Sequence, residues 1–433
     1  MAQHILFATE ANEGLGHIAP WKALITQLLR KGDYVTFARP QPDIAQSVLN
    51  LPNLNHQAIL WPSMHAGATP AIANSWGELL MSLGYASHKA VQACLQRWLQ
   101  LLRQIQPSWV IADYAPLAML AAKSLGLPII EAGGGFCLPP SDYKLGLLLP
   151  TAVKQSNTAK QDILAKAQLA SWQVALACNA ALQFQSSTLR LEKLTDLYTL
   201  SNHRCVTSSP ELDPYCAAMG VRNDVIHIGP LAPNGTGRLA QDIAPAWAQG
   251  PTPVPANAPP QQPTRILCYL KSNTPELQQI KQVLQQLPAC QVIAAGWPAD
   301  DPQPKLQLTP SHVHLVSDAV DFESALPLAD VFITNGGLHS LSWALHHQCQ
   351  CILLPTQAEQ AATALHLAGH PQVTVCVDAK SLGLALKQMG KKQSSPALGK
   401  LAAGDNAEAI LFRIIQRDIT HVNTRQINHA IEY

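Results

Sequence analysis

This chain is poor in charge. Only 13% of its 433 residues are Asp, Glu, Lys or Arg, and the formal net charge is +1. A chain this neutral gives no electrostatic case for nucleic acid, and no nucleic-acid partner is expected. Long apolar runs are missing too: no uninterrupted stretch reaches the length of a membrane span. The first residues enter a strand-like run at once, without a basic region and a long apolar core, so no signal peptide is expected. Peripheral contact with a membrane surface stays open. Ten cysteines are present, but they are scattered and form no CxxC spacing. Reduced thiols, a cytoplasmic location and the absence of structural zinc are expected from that pattern.

Apolar residues make up 47% of the chain, enough for real cores, and its length suits two domains. Strand-like and helix-like runs alternate from the amino terminus: Ile5–Ala8, Trp21–Lys31, Tyr34–Phe37, Trp109–Asp113, Leu117–Leu125 and a strand from Pro128. Helical spacing covers a segment at 73–105 and another at 155–196, and short strands follow at Cys205–Thr207 and Val225–Ile228. A proline-rich stretch at 233–263 has almost no periodicity and reads as an interdomain linker. The alternation resumes with strands at Arg265–Leu270, Gln291–Ala295, Val313–Val316, Val331–Ile333 and Cys351–Leu354, with helices at Leu277–Leu287 and 339–347. A last apolar helix is expected near Ala407–Arg417. This order predicts an α/β protein with two doubly wound, Rossmann-like domains facing across a cleft. The expected bounds are 1–232, linker 233–263, 264–400, and a helical segment at 401–433 packing back on the first domain.

Two glycine turns stand where open α/β sheets bind ligands, just after a strand. The first, Gly14-Leu15-Gly16-His17-Ile18-Ala19-Pro20, holds a histidine at the carboxyl edge of the first strand. Its glycines suit a tight turn, Pro20 suits a helix start, and a neutral imidazole accepts a proton near neutral pH. The second, Thr334-Asn335-Gly336-Gly337-Leu338-His339-Ser340, opens a helix whose amides and dipole suit a phosphate. Asp113 closes a buried-type strand in the half that carries His17.

Together with Gly229-Pro230, Leu326-Pro327-Leu328-Ala329-Asp330, Pro355 and Glu359-Gln360, these residues resemble the UDP-glycosyltransferase family along essentially the whole chain. The likeness is to bacterial enzymes of the macrolide, flavonoid and carotenoid type. The lipid-linked N-acetylglucosaminyltransferases of the same fold are a poorer match, because their glycine-rich signature is absent at 270–275. The resemblance implies the glycosyltransferase-B fold and an inverting, metal-independent transfer without a cofactor. A hexose would pass from a nucleoside-diphosphate sugar, UDP- or dTDP-linked, to a hydroxyl of a small or lipidic acceptor. It makes His17 the base and Asp113 its partner. It places the donor against Gly16, Lys271, Ser272, Asn335, Gly336, Gly337, His339, Ser340, Glu359 and Gln360.

The chain also departs from the family. Asn335 replaces a histidine that contacts the diphosphate, Trp343 a glutamate that holds the ribose, Asp321-Phe322 a proline-glutamine pair, and Ala319 an aromatic that stacks on the base. Lys271 and His339 are candidate replacements for the lost phosphate contact, and Trp343 a candidate to stack on a base. Trp61, Trp76 and Tyr85 fall where the family lines its acceptor pocket, but such residues are as often core. Gly133-Gly134-Gly135-Phe136 reads equally as an acceptor-side loop or a plain turn, and His346-His347 as a solvated helix end. Two other readings of the chain therefore stay open. One is a non-catalytic descendant that binds a metabolite or a partner. The other is a sugar-nucleotide epimerase or hydrolase on the same fold.

Overall fold

A computed structural model describes residues 2–10, 15–60, 73–140, 157–220, 222–232, 264–287, 290–295, 313–316, 320–389 and 407–417. The linker at 233–263, Gly14, Trp61 and Ala319 lie outside these residues. The chain divides into two compact units, 1–232 with 404–433, and 233–403.

The first unit is built on strands β1 (His4–Thr9), β2 (Tyr34–Arg39), β3 (Leu54–Ala58), β4 (Trp109–Asp113), β5 (Ile129–Gly133), β6 (His203–Val206) and β7 (Ile226–His227). They pair in parallel in the order β3-β2-β1-β4-β5-β6-β7. Parallel strands covered on both faces read as continuous apolar runs, and β4 and β5 are buried at every residue. The edge strand β3, Leu-Asn-His-Gln-Ala, is only half-buried and carries no such run, so sequence periodicity misses it. Helices α1 (Lys22–Lys31), α2 (Pro42–Leu49), α3 (Trp76–Ser82), α4 (His88–Ile105), α5 (Pro116–Ser124), α6 (Asn157–Phe184) and α7 (Cys216–Met219) complete this part of the chain.

Three expectations about helices are corrected. The segment at 73–105 is two helices, because the chain reverses at Gly84 in left-handed geometry (φ 88°). Helix α6 stops at Phe184 instead of running to 196; Ser186 is left-handed (φ 55°), and Asn179 binds the Leu191 backbone through both its amide atoms. Trp21 belongs to a 3₁₀ turn at Ala19–Trp21, one turn ahead of α1.

The second unit has strands β8 (Thr264–Tyr269), β9 (Cys290–Ala295), β10 (Val313–Val316), β11 (Val331–Thr334), β12 (Gln350–Leu353) and β13 (Val373–Val375). Their order is β10-β9-β8-β11-β12-β13, again parallel. Its helices are α8 (Leu277–Gln285), α9 (Phe322–Ala325), α10 (Leu338–His346), α11 (Ala358–Leu367) and α12 (Ala379–Met389). The last helix, α13 (Ala407–Arg417), belongs to the first unit. Its Ala407, Leu411 and Ile415 are buried in one cluster with Leu24, Ile25 and Leu28 of α1, and Glu408 accepts a bond from the Ala232 amide.

Helices α3 and α6 touch backbone to backbone. A Cβ on Gly77 would stand 2.6 Å from the amide nitrogen of Ser171 and 2.9 Å from its Cα, neither of which yields without moving α6. Gly77→Ala is therefore expected to destabilise the first unit by about 1–3 kcal/mol, read from urea unfolding. A loss under about 0.5 kcal/mol would show that the helices are not packed this closely.

Candidate active site

In an open parallel sheet the crevice for a ligand lies where neighbouring strands send their connections in opposite directions. In the first unit that point falls between β1, which leads on to β2, and β4, which leads on to β5. Thr9 at the end of β1 pairs in register with Asp113 at the end of β4. The turn after β1 carries His17, and the structure brings the two predicted residues together. His17 Nδ1 lies 2.9 Å from Asp113 Oδ1. With its Nδ1 proton on the carboxylate, the neutral ring presents Nε2 as the basic atom. The His17 side chain is 22% exposed and that of Asp113 only 7%, so the imidazole meets solvent while the carboxylate is enclosed.

Sequence reasoning missed the rest of this socket. Trp21 Nε1 donates to the other oxygen, Asp113 Oδ2, at 3.0 Å. Residues 15–21 form a tight turn in which the Ile18 and Ala19 amides donate to Leu15 O and the Trp21 amide to Ile18 O. That winding brings side chains four apart to one side, so His17 and Trp21 grip one carboxylate together. The available signal was a Trp four residues after the His, overlooked because an aromatic at a helix start reads as core. Trp21 is indeed core as well, packed on Phe7 with ring centroids 5.6 Å apart. Gly133, at the end of β5, leaves the room: a Cβ there would stand 2.9 Å from Asp113 Oδ1. Gly16 is different. Its φ is not positive and a Cβ would meet nothing within 4 Å, so the turn does not require glycine at this position, against expectation.

Glu10, directly after β1, is the second missed residue. It is fully buried, and it accepts Tyr85 Oη at 2.5 Å, the Ala118 amide at 2.8 Å and the Leu117 amide at 3.3 Å. Burial pushes its carboxyl up to about 7, against the lowering effect of these bonds. Tyr85 and Trp76 are core residues, 0% and 1% exposed, and their polar atoms are bonded to Glu10 and Tyr215.

A separate group in this unit, Asp213, Cys216 and His227, offers three metal-type ligand atoms within 4.8 Å of one another. Arg222 Nη1 sits 3.0 Å from Asp213 Oδ2, the oxygen that His227 Nε2 also meets at 3.0 Å. A guanidinium thus stands where a cation would bind. Asp213 is held below its usual range by His227 and Arg222, despite its burial. Arg222 also donates to Leu138 O, and Arg204, paired with Glu131, donates to Pro139 O. These ion pairs brace the chain after Gly135 rather than form a ligand site.

In the second unit the reversal falls between β8 and β11. Lys271 and Ser272 follow β8, and Asn335, Gly336 and Gly337 follow β11. Gly336 is left-handed (φ 91°), a geometry that favours glycine, and Gly337 precedes the first residue of α10. The first amides of α10, from Leu338 to Ser340, have no partner within the helix, as at any helix start. Ser340 Oγ donates to Gly337 O, and His339 is half-buried on the first turn of α10. Lys271 Nζ donates to Gln357 Oε1 at 3.2 Å, which ties it to the start of α11, where Glu359 lies in the first turn. Ser272 is exposed in the turn after β8.

Two predicted donor-site side chains turn inward. Asn335 is 4% exposed; its Nδ2 donates to Leu354 O and Thr274 Oγ1, and its Oδ1 accepts the Lys271 amide at 2.8 Å. Its side chain is a cross-brace between the turns after β8, β11 and β12. Gln360 is 5% exposed; its Oε1 accepts the amide and hydroxyl of Thr356, and its Nε2 lies 3.4 Å from Gln357 Oε1. Trp343 packs against His346 and His347 of its own helix end, with ring centroids 5.6 and 6.0 Å away. Asp321, at the position of the lost proline, caps α9 by accepting the Glu323 amide.

No protein-family model matches the chain, and no curated protein matches it. Solved structures do. The glycotransferase of kitacinnamycin is 20% identical, with TM-score 0.58 over 90% of this chain and 91% of that one. The glycosyltransferase VinC, solved in complex with dTDP, is 15% identical with TM-score 0.58, covering 95% and 94%. A UDP-glucosyltransferase from Polygonum tinctorium is 15% identical with TM-score 0.60, covering 96% and 98%. The chain therefore has the glycosyltransferase-B fold, two Rossmann-like α/β domains.

Removing the Asn335 brace strips a partner from the Lys271 amide, the Thr274 hydroxyl and the Leu354 carbonyl at once. Asn335→Ala is expected to destabilise the second unit by about 2–4 kcal/mol, measured by thermal or urea unfolding. An unchanged melting temperature would mean that the Asn335 amide points elsewhere.

Proposed function

We propose that this chain is an inverting glycosyltransferase that moves a hexose from a nucleoside-diphosphate sugar to a hydroxyl of a small or lipidic acceptor. The observation that carries the reading is the His17–Asp113 pair at the strand reversal of the first unit, 2.9 Å apart and backed by Trp21. An acceptor hydroxyl is a weak nucleophile until a base takes its proton. His17 Nε2 does so as the oxygen attacks the anomeric carbon and the bond to the diphosphate breaks. The imidazolium that forms stands against Asp113, and the proton stays on Nε2. Attack from the face opposite the leaving group inverts the anomeric centre.

The leaving diphosphate needs positive potential. The second unit offers the amino end of α10 at Gly336–Ser340, with Lys271 at the adjacent strand end. Glu359, and Gln360 through the loop it braces, stand beside this turn as candidates for the sugar. Kinship in fold to a protein solved with dTDP, and to one described as a UDP-glucosyltransferase, supports a uridine or thymidine diphosphate donor. The inward commitment of Asn335 favours a second reading, a non-catalytic binder. No helix among the described residues is long and apolar enough to cross a membrane, so a lipidic acceptor would be met at a membrane surface.

A screen of melting temperature against UDP, dTDP, GDP, ADP and their sugars tests the donor side. A true donor at a hundredfold its Kd is expected to add about 2.7 kcal/mol of stability. Transfer to a hydroxyl acceptor is then expected to fall about 100- to 10,000-fold in His17→Ala, while the nucleotide-induced shift remains. Trp21→Phe keeps the ring on Phe7 and removes one N–H, and should cost about tenfold in kcat with little change in melting temperature. Stabilisation by a nucleotide with no transfer to any acceptor would favour the non-catalytic reading. No shift with any nucleotide would overturn the transferase reading.

A further inference from the structure

Glu10 is a buried acid, and among the described residues no Lys or Arg is hydrogen-bonded to its carboxyl. Among the described residues, the titratable groups that act on it or are acted on by it are Tyr85 before α4, Cys94 in α4 and Cys178 in α6. None of these is basic. Glu131, one strand beyond β4, shows the contrast: its carboxylate meets Arg204 Nε at 2.7 Å. Among the described residues the groups that bond Glu10 are neutral: a phenol, the two amides at the start of α5 and the Trp98 indole. A carboxyl kept in such a place without a counter-charge calls for a reason beyond stability.

What Glu10 holds supplies the reason. Its backbone amide donates to Tyr114 O at 3.2 Å, and its carboxyl receives the Leu117 and Ala118 amides. Three bonds thus pin the five residues that follow Asp113. Tyr114, the first of them, sits in left-handed geometry (φ 51°), which costs energy for a residue with a Cβ and persists only where its surroundings enforce it. Its ring lies 6.3 Å from the His17 ring and 5.9 Å from that of Trp76.

We propose that Glu10 is a positioning residue for the His17–Asp113 pair, gripping the turn after β4 so that Asp113 and Tyr114 are both held against His17. The grip depends on charge. The carboxylate accepts from all these donors, whereas the protonated acid carries an O–H among groups that themselves donate. Burial raises this carboxyl to about 7, so the grip strengthens as pH rises through neutrality. For its kinetic consequence the inference rests on the transferase reading; the grip itself is measured without substrate.

The test uses the full chain, Glu10→Gln and Tyr85→Phe. The Ala118 amide, bonded to the carboxyl, is followed by heteronuclear NMR from about pH 5 to about pH 9, a window that lies above ordinary carboxyl titrations and includes the imidazole range. In the unaltered protein it is expected to titrate with a midpoint near 7. That titration should vanish in Glu10→Gln. In Tyr85→Phe, which removes a bond that lowers the Glu10 carboxyl, the midpoint should rise. Glu10→Gln should also shift or broaden the His17 ring resonances at a pH where the ring is neutral.

In the transfer assay the acid limb of kcat should be steeper than one proton in the unaltered protein and fall to one proton in Glu10→Gln. That variant should lose about tenfold in kcat with KM within about twofold. An Ala118 amide that does not titrate, or His17 resonances unmoved by Glu10→Gln, would overturn the inference. If Glu10→Gln does not fold, the Tyr85→Phe midpoint decides it. If no transfer is found, the transferase reading fails and the amide and ring measurements still decide the role of Glu10.

Discussion

Two buried carboxylates cross over between neighbouring strands, and the first unit is organised around that exchange. Asp113, at the end of β4, receives the side chains of the turn that follows β1. Glu10, at the end of β1, receives the backbone of the turn that follows β4. Each acid therefore fixes the loop belonging to its neighbour. Taking a carboxylate out of water is costly, so both sites persist only because every oxygen faces a donor. The exchange falls at the place in the sheet where the connections of β1 and β4 part. Gly133 and the left-handed Tyr114 are the local concessions that let the exchange close.

The second unit repeats the topology with different chemistry. Its strand reversal is braced by a neutral amide, Asn335, not by acids. A neutral brace adds no negative charge beside the start of α10 and Lys271. An acid in the same place would oppose an incoming diphosphate. The same physical need, tying together turns from adjacent strands, is thus met by carboxylates in the first unit and by an amide in the second. That division accords with the proposed roles, a first unit that would activate a hydroxyl and a second that would hold a phosphate.

Much of the fold was legible because buried parallel strands are continuous apolar runs, as in Trp109–Asp113 and Val331–Thr334. Where burial is incomplete the signal failed: β3 is a polar edge strand, and α6 ends at a reversal set by Asn179 and Leu191, twelve residues apart. In the site, His17, Asp113 and Gly336 were legible from position, since each follows or ends a strand. Trp21 and Glu10 were not. Each is ambiguous as a residue type, and its meaning comes from a partner about 90 or more residues away, with no local pattern to announce it.

The sequence by itself determined the alternation of strands and helices, the two glycine turns, and the fact that His17 and Trp21 lie four residues apart. Those features follow from backbone sterics and burial, which act over a few residues. Only the tertiary structure decided which carboxylate the turn would meet. Asp113 is 96 residues from His17, and it arrives because β4 pairs with β1 when the crossover returns to that edge of the sheet. Tertiary packing also turned the Asn335 side chain inward, since three backbone and hydroxyl groups converge on it from separate strand ends. Local chemistry chose the candidates. Strand order and the requirement that buried polar groups be satisfied chose their roles.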